Sequence, residues 1–160
     1  LVAIPLFRYI CWPTFLLSNV CIDIQTYFVL LGIISPPLHG VSHTFLIGGL
    51  IGLLLGVCSI PLIKYYAFIF KFLRFPYYGT PKSLILSGVL GTWFHVLTDA
   101  PLYSDVHPFF PFQVNPLYPL MNYGQMTGLC LFCIIPAFIL FVIIICKTNK
   151  SLHGRQKMRL

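Results

Sequence analysis

The chain has 160 residues, of which 58% are hydrophobic and 16% aromatic, whereas only 8% are charged. A soluble domain carries about 25% charged residues, so this composition excludes a water-exposed globular fold, a disordered chain and a nucleic-acid-binding domain. The formal net charge is +7, yet the sequence has only three acidic residues, and all of them are aspartate.

Four apolar stretches are long enough to cross a bilayer, which takes about 20 helical residues. They are residues 14–34, 44–63, 83–100 and 125–146. The sequence therefore predicts an all-α, polytopic membrane protein with about four transmembrane helices. Residues 65–75 mix cations with aromatic rings, which is typical of an interfacial helix. We expect a single integral membrane domain over residues 1–146 and a basic tail over residues 147–160.

The first predicted span contains an unusual charge, Asp23. An aspartate at the centre of a membrane helix costs about 2.5–3.5 kcal/mol on the insertion scale. Either the helix is shifted or broken near Asp23, or its carboxylate pairs with another polar group. The second span is rich in glycine, which lets helices approach closely. We therefore expect Gly48, Gly49, Gly52 and Gly56 to form a packing face.

The segment 101–124 carries five prolines among many aromatic residues, so it cannot form a regular helix. Aromatic rings of this kind suit the level of the lipid headgroups. Two interpretations stay open for this loop. It is either a lid over a polar site that grips a lipid-like substrate, or an anchor at the membrane interface.

The positions of the cations predict the orientation of the chain. All ten Lys and Arg residues fall in segments 1–13, 64–82 and 147–160, and the loops 35–43 and 101–124 have none. Positively charged loops stay on the cytoplasmic side, so the sequence predicts a cytoplasmic C-terminus.

Most of the rare polar residues fall on the opposite, non-cytoplasmic side of this topology. They are His39, His43, His95, His107, Asp99 and Asp105. Two pairs, His39 with His43 and His95 with Asp99, are four residues apart, a spacing that places both side chains on one face of a helix. Imidazole and carboxylate together suit zinc or a similar divalent metal.

Each pair also has a simpler interpretation. His95 and Asp99 could form a hydrogen bond within their helix without any metal, and His39 could be a solvated loop histidine. Asp105 and His107, two residues apart, could lie in an exposed turn or could handle the proton of a leaving group. Asp23 is a candidate to complete the metal site.

At these residues the chain resembles a family of bacterial inner-membrane proteins described as metal-dependent hydrolases, distantly related to zinc-dependent phospholipase C. The likeness lies in SNVCIDI (18–24), PLHGVSHTFLIG (37–48), and FHVLTDAPLYSDVHPFFPF with NPLY (94–112, 115–118). The resemblance implies a metal site of Asp23, His39, His43, His95 and Asp99. It assigns Asp105, His107 and Asn115 to an accompanying loop motif. The chain departs from the family at Gln25, where relatives have an acidic residue, and at Gly40, where they have a basic residue.

We therefore expect a metal-dependent hydrolase in the bacterial inner membrane that cleaves a phosphoester or similar bond of a lipid or lipid-linked substrate. Asp105 and His107 would be its catalytic residues, and the metal would be zinc. The alternative is a non-catalytic subunit of a larger membrane complex, or a homo-oligomer, in which the His/Asp site is structural or vestigial. A third hypothesis is a proton or ion pathway through Asp23, His95 and Asp99.

Overall fold

The computed structural model describes residues 9–73 and 77–157, and within these ranges every regular element is a helix. The elements are α1 (Trp12–Cys21), α2 (Ile24–Leu30), α3 (Phe45–Cys58), a 3-10 turn (Ile60–Leu62), α4 (Ile63–Phe72), α5 (Pro81–Asp99) and α6 (Tyr123–Lys157). The all-α prediction is confirmed. Residues 74 and 75 of the predicted interfacial helix lie outside the described residues, as do residues 1–8 and 158–160.

Threonine caps start the two longest core helices. The Thr44 hydroxyl accepts a hydrogen bond from the Ile47 backbone N–H at the start of α3. At the start of α5, Thr80 and Ser83 form a capping box, and Pro81 occupies the first turn. These residues satisfy N–H groups that have no partner inside the helix, so both helices begin at defined positions.

The predicted span 14–34 is not one continuous helix. Helix α1 ends at Cys21 and α2 begins at Ile24, with Asp23 at the break. Helix α2 then ends after seven residues at Leu30, and Gly32, with a positive φ of 70°, permits the closing turn that follows. Of the explanations open for Asp23, a broken helix and a polar partner both apply, because its carboxylate lies 3.3 Å from His43 Nε2.

Glycine faces bring α3 and α5 together as an antiparallel pair. A Cβ atom added to Gly52 would meet the backbone of Gly88, and one added to Gly56 would meet the backbone of Ile85. Gly48, Gly52 and Gly56 are the buried residues of α3, which confirms the predicted packing role for these three. Because the helices run in opposite directions, the start of α3 lies beside the end of α5.

Helix α1 packs on the other side of α5 and runs parallel to it. The Cys11 backbone N–H donates to Ser87 Oγ at 2.7 Å, and the Asn19 side-chain amide donates to the Gly91 carbonyl at 3.2 Å. Asp23 follows directly after α1, so this packing carries it to the same end of α5 as His95 and Asp99.

The distribution of side chains in these helices is the reverse of that in a soluble protein. The buried positions of α1 are Thr14 and Ser18, and those of α5 include Ser87 and Thr92. Many large apolar side chains are exposed instead, among them Leu16, Leu54, Leu86 and Phe94. Small and polar residues between helices with apolar residues outside them are typical of helix packing in lipid.

By length and apolar composition, one helix in the described ranges is able to cross a membrane, at Tyr123–Ile143. A second candidate combines Phe45–Cys58 with Ile60–Phe72, which are bent by 40° relative to each other. These criteria therefore support one or two spans rather than the predicted four. Helix α5 has 19 residues and nearly matches the predicted span 83–100. The loop before Tyr123 contains only turns, as its prolines predict.

Candidate metal centre

Three parts of the chain bring four potential metal ligands to one point. Asp23 comes from the α1–α2 break, His43 from the residue before the cap of α3, and His95 and Asp99 from the end of α5. Each offers one ligand atom, and the four atoms lie within 4.8 Å of one another. Residues far apart in sequence thus form one compact His/Asp cluster that could hold a metal ion.

The distances between these atoms are those of ligands that share one ion. Asp23 Oδ1 lies 3.3 Å from both His43 Nε2 and His95 Nε2. Asp99 Oδ2 lies 3.0 Å from His95 Nε2 and 3.8 Å from His43 Nε2. Ligands bound to zinc at 2.0–2.2 Å are separated from each other by about 3–3.5 Å, so the cluster has a suitable size.

His95 gives the most direct sign that the cluster is built for a cation. Its Nε2 atom is buried and close to both carboxylates, yet it makes no hydrogen bond of acceptable geometry to any described residue. A buried ring nitrogen that faces two carboxylates without a well-aligned hydrogen bond to either is incompletely satisfied. An ion between the ring and the carboxylates would satisfy all three groups, so the donor set fits a divalent metal.

His39 lies at the edge of the cluster and is held there by Asp105. The carboxylate of Asp105 accepts hydrogen bonds from the backbone N–H of His39 and from ring Nδ1, both at 3.0 Å. An ionised carboxylate only accepts hydrogen bonds, so Nδ1 carries the proton. The opposite atom, Nε2, is then a free ligand, and it lies 3.9 Å from Asp99 Oδ2. A histidine that binds metal through one nitrogen typically donates the other N–H to an oxygen.

The same contacts shift the pKa of Asp105. Burial alone would raise this pKa, but the hydrogen bonds from the backbone and ring of His39 outweigh burial and lower it below the usual value for aspartate. Asp105 therefore stays ionised and remains an acceptor for His39.

The aromatic ring of Tyr103 contacts the ring of His39. Its ring centroid lies 4.1 Å from that of His39, and its hydroxyl is hydrogen-bonded to Tyr123 at the start of α6. The bond to Tyr123, burial and the nearby carboxylates all raise the pKa of Tyr103 above the usual value for tyrosine. Its hydroxyl therefore stays protonated and uncharged. The sequence itself indicates only that Tyr103 is one of the aromatic residues of this loop.

The remaining predicted residues, His107 and Asn115, have different surroundings. His107 is outside the four-residue group, and its buried Nδ1 has no hydrogen-bond partner among the described residues. Asn115 organises the loop instead, since its amide donates to the carbonyls of Ala100 and Tyr103 at 2.8 and 3.1 Å. Asn115 thereby fastens the chain that follows Asp99.

Two further residues join the site, although sequence reasoning gave neither a role there. Ser42 Oγ lies 3.1 Å from His43 Nδ1, and it donates to Gln25 Oε1 at 2.9 Å. In the sequence, Gln25 is distinguished only as a departure from the family pattern. The position of Ser42 directly before His43 was the one available signal, and a lone serine in a loop is too common to be informative.

Comparison with known proteins adds no further constraint. No protein-family model, no curated protein and no solved structure matches this chain. The resemblance to metal-dependent hydrolases therefore stays a prediction, and the function must be argued from the geometry of the cluster.

Proposed function

We propose that this protein is a multi-pass membrane hydrolase with a divalent-metal centre, acting on a phosphoester or similar bond of a lipid or lipid-linked substrate. The observation that carries the proposal is the convergence of Asp23, His43, His95 and Asp99 within 4.8 Å. Groups of this kind are expensive to keep in an apolar chain, so they are retained where they have a use.

The membrane setting is supported by the surface and by the charges. Apolar side chains cover the outside of the helices, while glycine, serine and threonine lie between them. The cluster lies at the end of the helix pair formed by the start of α3 and the end of α5. Lys64 follows the end of α3 and Lys82 lies in the first turn of α5, so both are at the opposite end of this pair. A cytoplasmic basic side therefore places the cluster on the non-cytoplasmic side.

The residues of the site divide into ligands and groups that orient them. His39, His43 and His95 present Nε2, and Asp23 and Asp99 present carboxylate oxygens. When bound, a divalent ion supplies an activated water and polarises a phosphoryl or carbonyl oxygen. Asp105 holds the ring of His39 in position.

The lipid substrate class is supported by the loop that carries Asp105. Phe109, Phe110 and Phe112 of this loop are exposed, with Phe112 at 70%. Aromatic side chains favour the membrane interface, so they can hold the loop at the depth of lipid headgroups. A scissile bond in a headgroup would then lie close to the cluster.

Metal analysis tests the proposal most directly. We expect protein purified in mild detergent and loaded with zinc or manganese to retain a stoichiometric ion after dialysis. His95→Ala should lose the ion, because it removes a central ligand, whereas His153→Ala in the basic tail should keep it. An unaltered chain that retains no divalent ion after loading contradicts the proposal.

Substrate class needs a separate assay. We expect loaded protein to release phosphate or a headgroup from phosphorylated lipids in mixed micelles, and His95→Ala to be inactive. Release that is equally fast from a short soluble phosphoester would leave the hydrolase assignment intact and contradict the lipid assignment.

A non-catalytic subunit of a larger complex is the second candidate. Large apolar side chains of the segment Tyr123–Ile143 are exposed, among them Phe132 at 74% and Ile135 at 64%. An apolar helix with exposed side chains of this size can pack against another membrane protein. Stable co-purification with a partner, together with a chain that binds metal but hydrolyses nothing, would favour this function.

A further inference from the structure

The second ring nitrogen of His43 is engaged in a short chain of hydrogen bonds. His43 is completely buried, and its Nδ1 lies 3.1 Å from Ser42 Oγ. Ser42 Oγ in turn donates its proton to Gln25 Oε1 at 2.9 Å. The three polar groups thus form a line that runs from α2 through the loop to the cluster.

This line determines which nitrogen of His43 carries a proton. A serine hydroxyl has one proton, and here Gln25 accepts it, so Ser42 Oγ can only accept a hydrogen bond from His43. Nδ1 of the ring therefore carries a proton, which leaves Nε2 as the nitrogen available to a metal ion. In the absence of a metal, Nε2 is hydrogen-bonded to Asp23 Oδ1 at 3.3 Å and lies 3.8 Å from Asp99 Oδ2, so an ion that replaced the Nε2 proton would lie between this nitrogen and the carboxylates.

Gly40 makes room for the amide that accepts this proton. A Cβ atom at Gly40 would overlap the side-chain amide of Gln25. The neighbouring residue Thr26 also contacts this loop, because its hydroxyl donates to the Leu38 carbonyl at 3.3 Å. The first turn of α2 is therefore fitted against the loop that carries His43.

We propose that Gln25 and Ser42 are positioning residues that hold His43 in the tautomer and orientation required of a metal ligand, and that Gly40 provides the space for Gln25. The proposal rests on the proposed metal site and extends it by one layer of residues. Loss of such orienting partners typically weakens metal affinity about 10–100-fold.

Variants of Gln25 separate positioning from simple packing. Gln25→Leu removes the acceptor and frees the Ser42 hydroxyl to donate to His43 Nδ1, so Nδ1 loses its proton and Nε2 must keep its own. We expect zinc affinity to fall about 10–100-fold, the range seen when an orienting partner is lost. Gln25→Glu keeps an acceptor at the same place and should restore most of the affinity. Gly40→Ala should act like Gln25→Leu, since it displaces the amide without removing a polar group.

A matched serine provides the control. Ser59 is as buried as Ser42, but it lies at the other end of α3 and its hydroxyl donates to the Leu55 carbonyl of its own helix. Ser42→Ala should weaken zinc binding, whereas Ser59→Ala should not. Equal zinc affinity in Ser42→Ala and the unaltered protein would overturn the proposal.

Nitrogen NMR of ¹⁵N-histidine-labelled protein reads the tautomer directly, with His43→Gln used to assign the signal. We expect Nδ1 of His43 to be protonated in the unaltered protein and bare in Gln25→Leu. A bare Nδ1 in the unaltered protein would overturn the proposal. Because this signal is measurable in metal-free protein, it also distinguishes failure of the positioning pair from failure of the metal site itself.

Discussion

Asp105 contacts His39 through two hydrogen bonds, so at the scale of single residues it is expected to position a ligand. Asp105→Asn can keep an acceptor for only one of the two N–H groups, and it removes the negative charge that favours a proton on Nδ1. We expect zinc affinity to fall about 10–100-fold, as for other partners of metal-bound histidine. Isothermal titration calorimetry with zinc measures this change.

The same variant separates two roles for Asp105. The sequence predicts that Asp105 is a catalytic residue. In that case Asp105→Asn would lower the rate of hydrolysis while leaving zinc affinity unchanged. Asn115→Ala is a suitable control, because it loosens the same loop without touching His39. If Asn115→Ala and Asp105→Asn weaken zinc binding equally, Asp105 acts through the loop and not through the imidazole.

Single residues also show which contacts a sequence can reveal. The spacing of His95 and Asp99 predicted a close pair, and the side chains lie 3.0 Å apart, because helix geometry sets the distance between residues four apart. Asp105 was paired with His107, two residues away, but its partner is His39, 66 residues away. Such a contact depends on how loops fold onto helices, which local spacing does not determine.

At the scale of helices, the site depends on the close contact between α3 and α5. Gly52→Ala would place a Cβ against the Gly88 carbonyl and the Thr92 hydroxyl, so the two helices would have to separate. Overpacking of this kind costs about 1–3 kcal/mol. We expect a lower unfolding temperature in detergent and weaker zinc binding, since His43 precedes one helix and His95 lies on the other.

Another glycine provides the control for this change. A Cβ at Gly128 in α6 would have no neighbour within 4 Å. Alanine is favoured over glycine in a helix by about 1 kcal/mol, so Gly128→Ala should be neutral or stabilising. Equal destabilisation by both substitutions would show that helix propensity or the detergent, and not the α3–α5 contact, controls the result.

Helices were predictable where the pattern was local and were missed where a distant contact intervened. Helix α5 runs from Pro81 to Asp99, close to the predicted 83–100, because Thr80 and Pro81 mark its start. Segment 14–34 looked like one span by hydropathy, but it breaks at Asp23. At this break the Asp23 carboxylate lies 3.3 Å from the Nε2 atoms of His43 and His95, contacts that no window of neighbouring residues contains.

At the scale of the whole molecule, the antiparallel packing of α3 and α5 explains why the cluster and the cations separate. His43 and Asp99 lie at one end of this pair, whereas Lys64 and Lys82 lie near the other. The cluster is therefore assembled at one end of the helix pair by the fold, and we expect the distribution of charge to determine the side of the membrane on which it lies.

This separation predicts the result of a topology experiment. A green fluorescent protein fused after the C-terminal tail should fluoresce, because the basic tail is expected in the cytoplasm. Alkaline phosphatase, which needs the oxidising side of a bacterial inner membrane, should be active when fused after Asn122 and inactive when fused after Lys82.

Reversing the charges of the central basic segment is the control for this experiment. The triple substitution Lys64→Glu, Lys71→Glu and Lys82→Glu should lower the phosphatase activity of the Asn122 fusion. Phosphatase activity of the Lys82 fusion would contradict the proposed orientation and place the His/Asp cluster on the cytoplasmic side.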